Sequence, residues 1–538
     1  MTLAERAAPV PDQEEAEGPT WGEEFAWVFD HRYLLLAGAL VLLMVSYLVK
    51  LRWPGGVDIW EHAAAARELG AHPFHPQHPL LPVDRPHQFF SPYLMAVGLF
   101  GRFAGISVPI ALDVAAVFNL ILFLVALRLF VRRLIPRPHV DFYALLFILF
   151  LWGPGAWFFS GFLHFDVIAI VLSYPSTFAK GLVFLALWAH LNYLDTDDPK
   201  WLLPTLLVSA TVLLTHPVDA IFLGIGVTAL AVTHPTGRQD RHVAFTIATL
   251  GASVLLAFLW PPLPLYDLLF GPGQEAYRRS IAGADRDMYS HVAVRVGLAM
   301  VVLPFAIRRL QHWRTDPLAL MFLGTLAAYG YGYFTDNWSY GRLISSAQIV
   351  GAIILADERA TAGQAAAALG AAGRPLLRWV QFTTLALVLA GGYYMRNGFN
   401  VLPQRVLDHI GYQWVHSYVD QVKLSDFDFL AAHHKEYPVV VSDIYTSLEL
   451  PTFGVKVIAF ARSQAFVDTT ERGNDLGRFY DPASTNDVRR QIITKYGASL
   501  LVINVTDLAN EPKKFAPMLE LGQVVSRNTR FIFVDLRP

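Results

Sequence analysis

Apolar runs long enough to cross a bilayer recur along most of this chain. They fall at 33–50, 107–131, 139–158, 176–194, 200–216, 218–234, 243–261, 292–308, 316–334, 342–356 and 375–394, about eleven in all, each bounded by charge, Pro or Gly. A chain patterned this way is expected to be a polytopic α-helical membrane protein. Composition agrees, since 54% hydrophobic residues and a mean hydropathy of +0.39 are too apolar for one soluble globule.

Basic residues set the expected orientation. Arg132, Arg133 and Arg137, then Arg238 and Arg241, then Arg308, Arg309 and Arg314, then Arg359, Arg374 and Arg378 fall on alternate loops, which are assigned to the cytoplasm. The acidic loop Leu194 to Lys200 falls on the same side, but acidic residues count for little in this rule. An odd number of spans then places the N-terminus inside and everything after Asn397 outside, in an inner (plasma) membrane. The first 30 residues are acidic, lack a basic signal region and are read as a disordered cytoplasmic tail. The expected division is this tail (1–30), a transmembrane domain (31–396) with a large first outer loop (51–106), and an extracytoplasmic soluble α/β domain (397–538). In that last part short β-type runs at Pro438–Ser442, Val455–Phe460, Leu500–Asn504 and Arg530–Asp535 alternate with helical stretches such as Asp487–Tyr496. About 140 residues suffice for an independent core.

Some chemistries are excluded early. A net charge of -2 gives no basic field for nucleic acid, and the absence of cysteine removes disulfides, thiolate metal sites and thiol nucleophiles. No Gly-rich phosphate loop opens a helix of the C-terminal region.

The long, polar connections 51–106, 159–175, 262–291 and 335–341 all fall on the expected outer side, which marks it as the working face. Within the first, Tyr93–Ile106 is apolar but too short to span, and reads as an interfacial or re-entrant helix. Directly after the first span comes Val57-Asp58-Ile59-Trp60-Glu61-His62; if helical, spacings of three and four put Asp58, Glu61 and His62 on one face. The second outer loop carries His164, Asp166 and Tyr174 among apolar residues, where ionisable groups are costly and are functional candidates by default. Bland alternatives stand beside these. Asp58 could simply end a span, Glu61 or His62 could pair with Arg67, Asp166 with His164, Lys180 could snorkel to the interface, and His216 and Asp219 flank Pro217 as turn residues. Aromatic residues such as Trp152, Trp157 and Trp338 are read as interface belts.

The order of an acid after the first span, a helical stretch ending in Leu69-Gly70, a Pro-rich segment and Phe90-Ser-Pro-Tyr93 resembles the GT-C membrane glycosyltransferases. That superfamily holds the protein O-mannosyltransferases, the oligosaccharyltransferases and the lipid A aminoarabinose transferase. Many relatives show two adjacent acids here, whereas Ile59 and Trp60 separate Asp58 from Glu61. The resemblance implies transfer of a sugar from a polyprenyl-phosphate-linked donor to an extracytoplasmic glycan, lipid or protein acceptor, with inversion. Asp58 sits where relatives keep the base, with Glu61 and His62 beside it. Lys180, Arg278, Arg279 and Arg342 are the candidates for the leaving phosphate. Some relatives use a divalent cation (Mg or Mn), for which Asp58, Asp166 and Glu61 supply candidate oxygens, and others need none. Zinc on His72, His75, His78, His164 and His216 fits less well, since His-Pro pairs do not reproduce helix-based ligand spacing. The competing classes are a transporter or flippase, and a non-catalytic envelope-assembly subunit. No two-fold repeat supports a transporter.

Overall fold

A computed structural model describes residues 31–49, 52–54, 58–271, 274–401 and 421–537. The expected N-terminal tail (1–30) lies outside the described residues. The chain is mostly helical, with a small sheet near its C-terminus.

Each expected apolar run contains a helix, among them Arg32–Leu48, Val108–Leu134, Pro175–Thr196, Pro217–Thr233 and Arg374–Tyr394. By length and composition three helices among the described residues are long and apolar enough to cross a membrane, or up to four if a bent pair is one span, and four shorter apolar helices of 10–17 residues accompany them. Two of the expected runs are interrupted. The helix begun at Val140 stops at Phe150, before Gly153-Pro154-Gly155, instead of reaching residue 158. The run from Val292 joins Ala282–Tyr289 at a 73° bend, where His291 takes a left-handed conformation.

Apolar side chains line the outside as well as the inside. Along Val108–Leu134 the exposed residues Val114, Phe118, Ile121, Val125 and Leu129 recur every three or four positions, the spacing of one helix face. A continuous apolar stripe on the outer surface suits an apolar medium. The buried centre of the bundle is Leu343–Ala368, packed between Val140–Phe150 and Pro317–Phe334.

Two short helices follow the first apolar helix. Ile59–Ala71 crosses Pro92–Ala104 so closely that a Cβ on Gly98 would collide with the Ala66 carbonyl, and one on Gly70 with the Gly98 carbonyl. The small run Ala63–Ala66 makes this approach possible. Pro92–Ala104 is the short apolar helix expected at the interface; Ser91 caps its start, and Phe100 and Phe103 are exposed. Asn119 in Val108–Leu134 donates to the Tyr93 hydroxyl (2.9 Å) and the Leu172 carbonyl (2.8 Å), and Tyr93 donates to the Ser173 carbonyl (2.9 Å), so segments 58–106 and 159–175 meet.

Strands β1 (Arg52–Pro54) and β2 (Gln421–Lys423) pair antiparallel, joining the connection after the first apolar helix to the C-terminal region. There β3 (Val439–Ser442), β4 (Lys456–Val457), β5 (Leu500–Asn504), β6 (Gln523–Arg527) and β7 (Phe531–Asp535) form a sheet of order β4-β3-β5-β7-β6. β3 runs parallel to β4 and β5, and β7 antiparallel to β5 and β6. Four of these strands follow the expected β-type runs. β6 escapes sequence reading because its residues are mostly exposed and it carries a register shift at Val524/Ser526.

One face of this sheet has a core of its own, and the other shares one with the helical part of the chain. Alternation along β5 and β7 sends Leu501, Ile503, Ile532 and Val534 to one face, under the helices Thr470–Tyr480 and Asn486–Tyr496. Leu500, Val502, Phe531 and Phe533 face the other way and share a core with the membrane helices. Trp60 docks here against Phe427 (5.6 Å between rings) and Phe453 (6.1 Å), and its carbonyl accepts from the Thr452 hydroxyl (3.0 Å).

Candidate active site

Asp58 occupies the N-cap position of Ile59–Ala71, yet its carboxylate makes no capping hydrogen bond. The Tyr174 hydroxyl donates to Oδ1 at 2.6 Å, and the Arg462 guanidinium lies 3.2 Å from Oδ2. Burial raises the carboxyl. Arg462 foremost, with the Tyr174 hydrogen bond and Arg342, acts against it, and the net displacement is below the ordinary carboxylate value. Asp58 is therefore ionised at neutral pH. Tyr174 is pushed well above the usual phenol range, by burial first and by Asp58 second, and stays a proton donor.

Glu61 is 1% exposed, and Oε1 receives His87 Nε2 (3.2 Å), Gln88 Nε2 (3.0 Å) and Gln464 Nε2 (3.4 Å). Gln88 also donates to Gln464 Oε1 (2.9 Å). Burial pushes Glu61 up to about 7 and His87 down to about 3. Because His87 Nδ1 accepts from the Phe89 backbone (3.3 Å), its Nε2 carries the proton that points at Glu61. Glu61 thus ties the C-terminal segment carrying Arg462 and Gln464 to the first outer loop. His62 packs against Phe89 (4.2 Å between rings) and Tyr174 (5.5 Å), and burial holds it down at about 4, hence neutral.

Arg342 donates to Ser160 Oγ (2.7 Å) and to Asp285 Oδ1 (3.1 Å), and Asp285 accepts also from Ser339 (3.0 Å). Its field reaches Asp58. Segments 58–106, 159–175, 262–291 and 335–342 and the C-terminal region therefore contribute to one charged cluster.

The structure brings together Asp58, Glu61, His62, Tyr174 and Arg342 from the sequence candidates. It does not bring the others. Lys180 is buried and faces Asp219 (2.6 Å) and the Ser346 hydroxyl, with His216 Nδ1 2.8 Å from Asp219, so its charge is neutralised inside the bundle instead of waiting for a phosphate. His216 and Asp219, read from sequence as turn residues, complete that pair. Arg278 acts on Tyr340, with no described contact to the Asp58 cluster, and the Arg279 side chain lies outside the described residues. Asp166 accepts from the Gly398 amide (2.8 Å) and Asn397 (3.3 Å), and neither joins Asp58 nor pairs with His164. His164 is fully buried, its Nε2 3.0 Å from the Trp157 carbonyl.

Among the described residues no three His, Asp or Glu side chains converge as metal ligands. The surroundings of Asp58 are cationic, and Glu61 already accepts three hydrogen bonds, a donor set that does not fit a resident divalent cation. His72 pairs with Glu68 (2.8 Å), and His78 Nδ1 accepts from the Leu80 and Leu81 amides.

Arg462 and Gln464 are the residues that sequence reading missed. They follow β4, outside the carboxyl ends of the parallel strands, where open α/β sheets place ligand-binding loops. That rule was the available signal.

No family model matches the chain, and no curated protein matches it in sequence. Solved structures do. ArnT from Cupriavidus metallidurans, bound to undecaprenyl phosphate, matches with a TM-score of 0.55 at 13% identity, over 94% of this chain and 98% of that one. The archaeal oligosaccharyltransferase AglB from Archaeoglobus fulgidus, in complex with an inhibitory peptide and a dolichol-phosphate, matches with a TM-score of 0.52 at 11% identity, over 95% of this chain and 75% of that one. Both are membrane glycosyltransferases of the GT-C fold, and the chain has that fold.

Proposed function

We propose that the chain is an integral-membrane glycosyltransferase. It moves a sugar from a polyprenyl-phosphate donor to an acceptor hydroxyl outside the cytoplasm, with Asp58 as base. The observation that carries this reading is the Asp58 carboxylate, kept ionised and aimed by Tyr174 and Arg462 at the meeting point of the outer loops. Undecaprenyl phosphate and dolichol-phosphate on the two structural neighbours support a lipid-phosphate donor.

In the proposed step the acceptor oxygen bonds to the anomeric carbon as its proton passes to Asp58. The bond from that carbon to the phosphate oxygen breaks, and its electron pair leaves with polyprenyl phosphate. Attack opposite the leaving group inverts the centre, with no covalent sugar on the protein. Arg342 and Arg462 supply the cations for the developing phosphate charge. A donor phosphate that draws Arg462 away removes the largest influence lowering Asp58, so the base strengthens when donor is bound. Glu61 acts as a positioning residue, through Gln464, for Arg462. The eleven-span topology with an outer C-terminus, and the division into a tail (1–30), a membrane domain (31–396) and an α/β domain (397–538), belong to this proposal.

The test is transfer from a panel of radiolabelled polyprenyl-phosphate sugars by the full chain in membranes, with and without chelator. Transfer that survives chelator supports the reading together with its cation-free site. Absence of transfer from every donor, accompanied by lipid or solute translocation in vesicles, would replace it with a transporter.

A further inference from the structure

At the opposite end of Ile59–Ala71 from Asp58 a cavity of ≈ 560 Å³ opens between that helix, Pro92–Ala104, the start of Val108–Leu134 and the C-terminal region. At about 1.5 Å per residue, Arg67 lies roughly 13 Å along the helix axis from Asp58. The lining carries Arg67, His72, Arg102 and His434 and no carboxylate, beside apolar Ile106 and Phe453.

Arg67 makes no hydrogen bond or ion pair among the described residues. The carboxylate that acts on it, Glu68, is already held by His72 (2.8 Å), the Gln77 amide (2.9 Å) and Lys456 (3.4 Å). Its guanidinium is pressed against Gly454, where a Cβ would collide with it and where φ is +103°, so only glycine suits both the space and the backbone. Arg102 binds the Gly70 (2.9 Å) and Ala71 (3.1 Å) carbonyls through one nitrogen, which fixes its position. A half-buried guanidinium without a counter-ion is costly, and a planar fork of donors matches phosphate oxygens two at a time. The exposed Phe100 and Phe103 on the adjoining helix, and the start of the 27-residue apolar helix Val108–Leu134 in the wall, place the cavity where a lipid headgroup meets its chains.

We propose that this cavity binds a phosphoryl group, carried by an anionic lipid at the outer boundary or present as free phosphate, at a site separate from Asp58. Arg67 grips it, Arg102 adds positive field, and the apolar wall accepts the first carbons of a lipid. The readout below is stability, so the result stands apart from the transferase reading.

The full chain in phosphatidylcholine nanodiscs is melted with rising inorganic phosphate, against chloride at equal ionic strength, and again in nanodiscs containing phosphatidic acid. Arg67→Gln and Arg102→Gln are melted alongside. The expected result is a rise in Tm for the wild type with phosphate, phosphatidic acid or both, which is lost in either variant. A rise with phosphatidic acid alone assigns the group to lipid, and a rise with phosphate assigns it to the free ion as well. No rise with either probe, or a rise that both variants keep, overturns the proposal.

Discussion

Replacing Glu61 by Gln tests how the site is held together. Gln preserves the shape and still accepts from His87, Gln88 and Gln464, but it cannot ionise. In the folded protein the Glu61 carboxyl stands near 7 instead of its ordinary 4.5, because burial disfavours the charged form. The folded state thus binds more protons than the unfolded chain between those values, and stability falls as pH rises through that window. Below 4.5 Glu61 imposes no penalty; above 7 it costs the folded state up to about 3 kcal/mol. Unfolding entropy of about 2.1 cal/mol/K per residue puts a lower bound of about 3 °C on the matching shift in Tm for a chain of this length. A membrane protein that keeps part of its helicity on melting shifts further. The assay is thermal melting of purified wild type and Glu61→Gln in one detergent from pH 5 to pH 9. The two should melt together at pH 5 and diverge through pH 7, the variant staying higher. Parallel profiles would refute the buried, proton-sharing Glu61.

Removing the guanidinium in Arg462→Gln lets the Asp58 carboxyl rise, so the acid limb of the transfer-rate profile should move to higher pH; an unmoved limb contradicts the pairing. Gly98→Ala forces a Cβ into the Ala66 carbonyl and should destabilise the protein by about 1–3 kcal/mol, read as a lower Tm, while Gly392→Ala, with nothing near its Cβ, should not. Lys180→Met strands Asp219 in the bundle and should cost about 3–5 kcal/mol, and Lys180→Met with Asp219→Asn should recover most of it. Unchanged donor KM in the double variant would confirm that Lys180 is structural, and a large rise would return it to the phosphate.

The helices were legible from sequence because apolar runs bounded by charge and Pro/Gly have few other fates. Asp58 stood out by its place after the first apolar run, Tyr174 by its place in an apolar connection with ionisable residues, and Arg342 by its position near a run end beside Gly341. The partner of Lys180 was not legible because a cation near a run end looks the same whether it faces the headgroups or a carboxylate on another helix; only packing brings Asp219 to it. The partners of Asp166 were hidden for the same reason, Asn397 and Gly398 being more than 200 residues away in sequence. Arg462 was hidden in an ordinary loop of the C-terminal region, and its significance comes from the docking of Trp60 on Phe427 and Phe453, a tertiary contact no local pattern announces.

The most direct test of the central claim is the turnover of Asp58→Asn with a donor the wild type accepts, in protein whose melting matches the wild type. Loss of a positioned base predicts a fall of about 10²- to 10⁴-fold in kcat with donor KM little changed. A variant that turns over at the wild-type rate would contradict the assignment of Asp58 as the base.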